Sequence, residues 1–138
     1  TQLGIDSSYY QKAKQGFDVP DSQENIVSNT AITFDPAPAK SYAYCSDTAY
    51  CEQMIPQISN TTLLYHEATF LHQHAQLALK TMHSTAHQAA LIAHKAKVGK
   101  LLLGHYSGRY SDYNEFKLQA QEVFTPTELA MDGKIFEI

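Results

Sequence analysis

The chain has 138 residues, 43% of them apolar, with 10 Lys and Arg against 14 Asp and Glu, a formal charge of −4 and a pI near 5.9. That length holds one ordinary hydrophobic core and is short for two. The acidic balance excludes the broad basic surface on which sequence-independent nucleic-acid binding depends, so any RNA contact has to be local. The longest apolar runs, such as Leu101-Leu102-Leu103, fall far short of a membrane span, and no basic-then-apolar leader opens the chain. A soluble, cytoplasmic protein, or a piece of one, with no membrane partner is expected.

From Gly4 to about Lys40 the sequence is polar and punctuated by Gly16, Pro20, Pro36 and Pro38, which predicts loop with a short helix over 9–15 and a strand near 31–34. Beyond Lys40 the texture changes. Residues 41–45 read as a strand, 51–58 as a helix that tolerates Pro56, and 62–65 as a strand. A helix follows over 85–97, a buried strand over 100–103, a helix over 112–123 and a closing strand over 134–138. Strands alternating with helices at this spacing indicate βαβ units, so the fold class is α/β with a parallel sheet. The two cysteines, Cys45 and Cys51, read as structural thiols of a reduced compartment.

Seven histidines raise the expectation of a metal or proton-transfer site. The predicted strands run into Ser46-Asp47-Thr48, His66-Glu67 and Gly104-His105. If they are parallel neighbours, Asp47, His66, Glu67 and His105 gather at the carboxyl edge of the sheet, where open α/β folds bind ligands. The plainer alternative is that Asp47 caps a turn and the histidines are ordinary hydrogen-bonded residues. His83 stands just before a helix whose Thr85 and Gln88 form a capping box, a place where free N–H groups favour a phosphate. Ala86, Ala89, Ala90, Ala93 and Val98 give that helix a small apolar face for close packing on the sheet. His72-Gln73-His74 has a two-ligand zinc spacing but sits in what reads as an exposed connection, and His87 and His94 read as surface or packing residues. Asp47 and His105 are plausible metal ligands. Two ligands leave a catalytic zinc under-coordinated, so either the site is not metallic or its other ligands lie elsewhere.

Four words of sequence together resemble ribonuclease Z from Asp35 onward: Ser46-Asp47-Thr48, His66-Glu67-Ala68-Thr69, His83-Ser84-Thr85, and His105 through Ser107 and Arg109 to Tyr110. The resemblance implies half of a metallo-β-lactamase αββα four-layer sandwich and a zinc-dependent endoribonuclease that trims the 3′ side of precursor tRNA. It implies Asp47 as the carboxylate bridging two zinc ions, His105 as a terminal ligand, and His83 as the residue assisting the leaving group, with Glu67 and His66 behind it. Ser84, Thr85 and Arg109 are the implied phosphate contacts. Ser46 stands where the family has glycine and Ala49 where arginine often follows. The family's His-x-His-x-Asp-His motif is absent. The resemblance therefore identifies residues 1–138 as a carboxyl-terminal half, with 1–40 the edge of a tRNA-binding arm and connecting loops and 41–138 the βαβ core. A missing amino-terminal half would carry the remaining ligands, the complete enzyme would be a homodimer, and this half alone would be inactive. A related phosphodiesterase acting on small substrates and a non-catalytic structural half-domain are the alternatives.

Overall fold

The computed structural model describes residues 4–34 and 36–138; Asp35, where the family resemblance begins, lies outside them. The chain divides into two compact units, Thr1–Pro38 and Ala39–Ile138. In the first, a 3₁₀ turn over Ser7–Tyr9, capped by Asp6 through the Ser8 N–H, leads into helix α1 (Tyr10–Lys14). Strands β1 (Val19–Pro20) and β2 (Ile26–Val27) form an antiparallel hairpin, closed where Asp21 Oδ1 accepts the N–H groups of Gln23 and Asn25 at 2.8 and 2.9 Å. Helix α2 (Asn29–Ile32) stands where the sequence predicts a strand over 31–34. The reason is tertiary: Asn29 donates its backbone N–H to Asp18 Oδ1 at 2.7 Å and its side-chain amide to Ala13 O at 2.6 Å. These bonds fix a helical turn against the β-propensity of the residues that follow.

The second unit is built on a wholly parallel sheet of β3 (Tyr42–Cys45), β4 (Leu63–Glu67), β5 (Lys100–Gly104) and β6 (Thr127–Leu129), in that spatial order. Between them lie α3 (Ile55–Ile58), α4 (Ala75–Lys80), α5 (Ala86–Ala96) and α6 (Asn114–Gln121). The α/β class read from the sequence is the observed one. Three boundaries differ. Strand β4 continues through His66 and Glu67, because its neighbour β5 continues through Gly104 and pairs with it to the end. Residues 72–80, read as a connection, form a 3₁₀ turn and α4, since Ala75-Gln76-Leu77-Ala78-Leu79-Lys80 are all good helix formers. The closing strand is Thr127–Leu129 rather than 134–138. Leu101 donates to Pro126 O and Ala130 to Leu103 O, which fixes the earlier segment on β5, whereas Ile135 lies exposed.

Strand alternation sends Leu64, Leu101 and Leu103 into a core shared with α5 and α6. Ala86, Ala89, Ala90, Ala93 and Ala96 are all buried, and their small size lets α5 approach the sheet closely. The capping box is present as the sequence predicts, with Gln88 N–H donating to Thr85 Oγ1 and Thr85 N–H to Gln88 Oε1. Phe116 of α6 is fully buried beneath the rings of Tyr106, Tyr110 and Tyr113. The opposite face of the sheet carries Tyr42, Tyr44 and Tyr65, the last two stacked at 4.6 Å, with Tyr42 50% and Tyr44 62% exposed. No helix among the described residues is long and apolar enough to cross a membrane.

Because Phe116 fills the junction between α6 and the tyrosine cluster, Phe116→Ala is expected to destabilise the chain by about 3–5 kcal/mol in urea unfolding. Leu118→Ala, on the exposed side of the same helix, should cost about 0.5 kcal/mol or less. Similar losses in both would contradict this core.

Candidate metal centre

Parallel strands β3, β4 and β5 end side by side, and the residues that leave them form the site. Asp47 follows β3, His105 follows β5, and the segment Ala68-Thr69-Phe70 follows β4. That segment is pinned on both sides. Ala68 donates to Gly104 O and Ser107 to Thr69 O on the β5 side. On the other side Phe70 donates to Ser84 O and Ala86 to Phe70 O, which brings His83 and the start of α5 alongside. The outer end of the Tyr65 ring sits over Gly104, so a Cβ there would push that ring aside. Asp47 and His105 both take left-handed backbone conformations, at φ 50 and 61°, as does Met82, which precedes His83, at φ 61°. Non-glycine residues held in this region cluster at functional sites.

One donor atom from each of Asp47, His83 and His105 lies within 4.8 Å of the others. Asp47 Oδ1 stands 3.3 Å from His105 Nε2, and the rings of His83 and His105 are 5.2 Å apart. The side chains of Asp47, His105 and His83 are 69%, 41% and 23% exposed, so the group opens to solvent. Glu67, fully buried, backs it. Its Oε1 accepts from Thr48 N–H at 3.2 Å and His83 Nδ1 at 2.8 Å, and its Oε2 from the N–H and hydroxyl of Thr69 at 2.9 and 2.8 Å. With Nδ1 of His83 donating to the carboxylate, Nε2 is the nitrogen of that ring left free. The Asp47 carboxylate oxygen and the His105 imidazole nitrogen are hard-to-borderline donors that suit a divalent metal ion, with the His83 ring beside them.

The remaining sequence-predicted residues take other places. His66 is on the opposite face of β4 from Glu67, among the core side chains, as strand alternation requires. Its Nδ1 donates to Glu67 O at 2.7 Å, and burial holds its pKa below the ordinary imidazole value against the weaker opposing pull of that bond and of the Glu67 charge. Ser84 and Thr85 are buried with their hydroxyls engaged, Ser84 donating to Thr48 O at 2.7 Å and Thr85 capping α5. Arg109 lies over the Phe70 ring at 5.4 Å, and the same ring packs edge-on to His83. His72 and His74 lie away from the group: His74 Nδ1 shares a hydrogen bond with the Tyr110 hydroxyl, which accepts from Leu71 N–H, and His72 packs against His87. Thr69 was not singled out by sequence reasoning, and its contact to His105 spans 36 residues, with no local signal to reveal it.

No protein-family model matches the chain. It is 46% identical to ribonuclease Z of Cytophaga hutchinsonii over 126 residues, covering 91% of this chain and 40% of that protein. To ribonuclease Z of Parabacteroides distasonis it is 45% identical over 123 residues, covering 89% and 40%. The chain thus spans about 40% of the length of these relatives. Among solved structures, the metallo-β-lactamase fold protein YhfI from Bacillus subtilis superposes with a TM-score of 0.67 at 26% identity, over 72% of this chain and 40% of that one. A long form RNase Z from yeast superposes at 0.55 and 28%, over 66% and 12%. The chain is homologous to ribonuclease Z over most of its length, and its parallel sheet with flanking helices is part of a metallo-β-lactamase fold.

Below about pH 6.5 the unfolded chain protonates His66 while the folded chain resists, so unfolding takes up a proton and stability rises with pH across that window. His87, whose pKa is lowered by burial and by His72, acts in the same sense. Urea titrations are expected to show stability falling as pH drops from about 6.5 toward 5, with a shallower fall in His66→Gln; an unchanged slope in the variant would contradict the assignment.

Proposed function

We propose that this chain is the carboxyl-terminal half of a ribonuclease Z-type endoribonuclease that uses two zinc ions to process the 3′ end of precursor tRNA. The observation that carries the reading is the convergence of Asp47, His83 and His105 at the carboxyl ends of adjacent parallel strands, in a chain 45–46% identical to named ribonuclease Z proteins. From this chain Asp47 and His105 would hold the ions. The other ligands come from an amino-terminal half outside this chain. Parallel sheets are normally covered on both faces, and the exposed Tyr42 and Tyr44 beside half-buried Tyr65 support a second layer supplied by that half. The complete enzyme is read as a cytoplasmic homodimer.

When bound, the ions supply charge stabilisation at phosphorus and an attacking water made acidic enough to act at neutral pH. The chain's own residues do the rest. His83, its Nδ1 held by Glu67, presents Nε2 to the departing oxygen and protonates it. Glu67 keeps that ring oriented and compensates the positive charge it carries before transfer, and His66 braces Glu67 from the core side through the Glu67 carbonyl. Arg109, resting on the ring that also packs against His83, reaches the phosphate. Ser84 and Thr85 fix the His83 loop rather than offering their engaged hydroxyls. The 45–46% identity to proteins named ribonuclease Z favours RNA over small phosphodiesters as the substrate class.

In the complete enzyme, Asp47→Ala and His105→Ala are expected to lose both zinc and precursor-tRNA cleavage, whereas His72→Ala and His74→Ala change neither; metal analysis after dialysis, run beside a cleavage assay, checks the contrast. Zinc retained in Asp47→Ala but lost in His72→Ala would reverse the assignment. His83→Ala is expected to retain zinc and to turn over about a hundredfold more slowly. A substrate with a better leaving group should recover part of that rate. Equal losses on both substrates would make His83 a phosphate-binding residue instead of the acid.

A further inference from the structure

We infer that Thr69 is a positioning residue that sets the tautomer of His105, so that a single buried carboxylate, Glu67, dictates the protonated nitrogen of both site histidines. The argument is a count of protons. An ionised carboxylate offers about four acceptor positions and no donor. Glu67 meets four donors: the N–H of Thr48 and Nδ1 of His83 at Oε1, and the N–H and hydroxyl of Thr69 at Oε2. His83 therefore carries its proton on Nδ1. Thr69 spends its one hydroxyl proton on Oε2 at 2.8 Å, so the same oxygen, also 2.8 Å from His105 Nδ1, can only accept from that ring. His105 is thereby held with its proton on Nδ1, and Nε2 keeps its lone pair.

The consequence lies at Asp47. In that tautomer His105 Nε2 carries a lone pair and lies 3.3 Å from Asp47 Oδ1, two electron-rich atoms that a nearby cation would reconcile. Outer partners that orient a ligating histidine typically contribute about 10–100-fold to metal affinity. Here the partner is a hydroxyl relaying a carboxylate two residues earlier, which couples the ligand His105 to the acid His83 through one group. The tautomer assignment rests on hydrogen bonds alone, while its effect on metal affinity rests on the metal centre proposed above.

The test uses the 138-residue chain labelled with ¹⁵N, its histidine ring nitrogens read by long-range ¹H–¹⁵N correlation near pH 8.5, well above the ordinary imidazole pKa of about 6.5. His105 is expected as the Nδ1–H tautomer in the unmodified chain and in Thr69→Ser, which keeps the hydroxyl. In Thr69→Val it should shift toward Nε2–H while His83, bonded to Glu67 directly, stays as Nδ1–H. His105 found as Nε2–H in the unmodified chain, or unmoved in a folded Thr69→Val, overturns the relay. If the valine variant does not fold, the unmodified chain and the serine variant still decide the matter. Cobalt titration of the complete enzyme adds the second arm, with about a 10–100-fold loss of affinity expected in Thr69→Val and little in Thr69→Ser. A shifted tautomer with unchanged cobalt affinity would leave the relay standing and count against His105 as a ligand.

Discussion

The Glu67 carboxylate is the point on which the site is organised. It is fully buried at the end of a central parallel strand, where an uncompensated charge would cost far more than one hydrogen bond returns. Four donors arrive from three separate stretches of chain: the turn after β3, the turn after β4, and His83 in the segment leading into α5. Each arrival constrains a neighbour. Thr48 fixes the turn that carries Asp47, Thr69 fixes the turn beside His105, and His83 is held directly. Charge-assisted bonds of this kind are about twice as strong as neutral ones, so the carboxylate acts as a keystone for loops that share no local sequence.

The sheet explains why the keystone can be so placed. All its strands run parallel in chain order, so their carboxyl ends, and the loops that leave them, lie on one side of the molecule. The alanine-rich α5 packs close beneath and holds its own amino end, with Ser84 and Thr85, against the turn after β4. On the other face Tyr65 lies across Gly104 and stacks on Tyr44, and burial with nearby tyrosines pushes its phenol up to about 12. This face is aromatic and half-exposed. The asymmetry between a finished helical side and an open tyrosine side agrees with the 40% share of its relatives that the chain spans.

Much of this was legible because the signals were local. The capping box at Thr85 is read from residues three apart, and the alternation of Leu64, Leu101 and Leu103 follows from strand period. The ends of β3 and β5 announce themselves through Asp47 and Gly104-His105. What was not legible depends on pairing across the chain. Glu67 looks like the start of a loop until Gly104 is known to lie beside it, and Ile135-Phe136 looks like a better strand than Thr127-Glu128-Leu129 until Leu101 chooses Pro126 as its acceptor. α2 was missed because Asp18 and Ala13, not its own residues, make it helical. The link from Thr69 to His105 is of the same kind, since nothing near Thr69 in sequence indicates which imidazole it will meet.

The left-handed backbone at Asp47 and His105 also has a meaning for how such a sequence changes over time. For residues with a Cβ that conformation costs about 1–2 kcal/mol, less for aspartate, and glycine would relieve it. At both positions the substitution that best suits the main chain is thus the one that deletes the side chain the proposed metal centre would use. Selection for thermal tolerance alone would drift toward glycine there. Under the metal-centre reading, Asp and His at these two turns set side-chain chemistry against the pull toward a more stable fold.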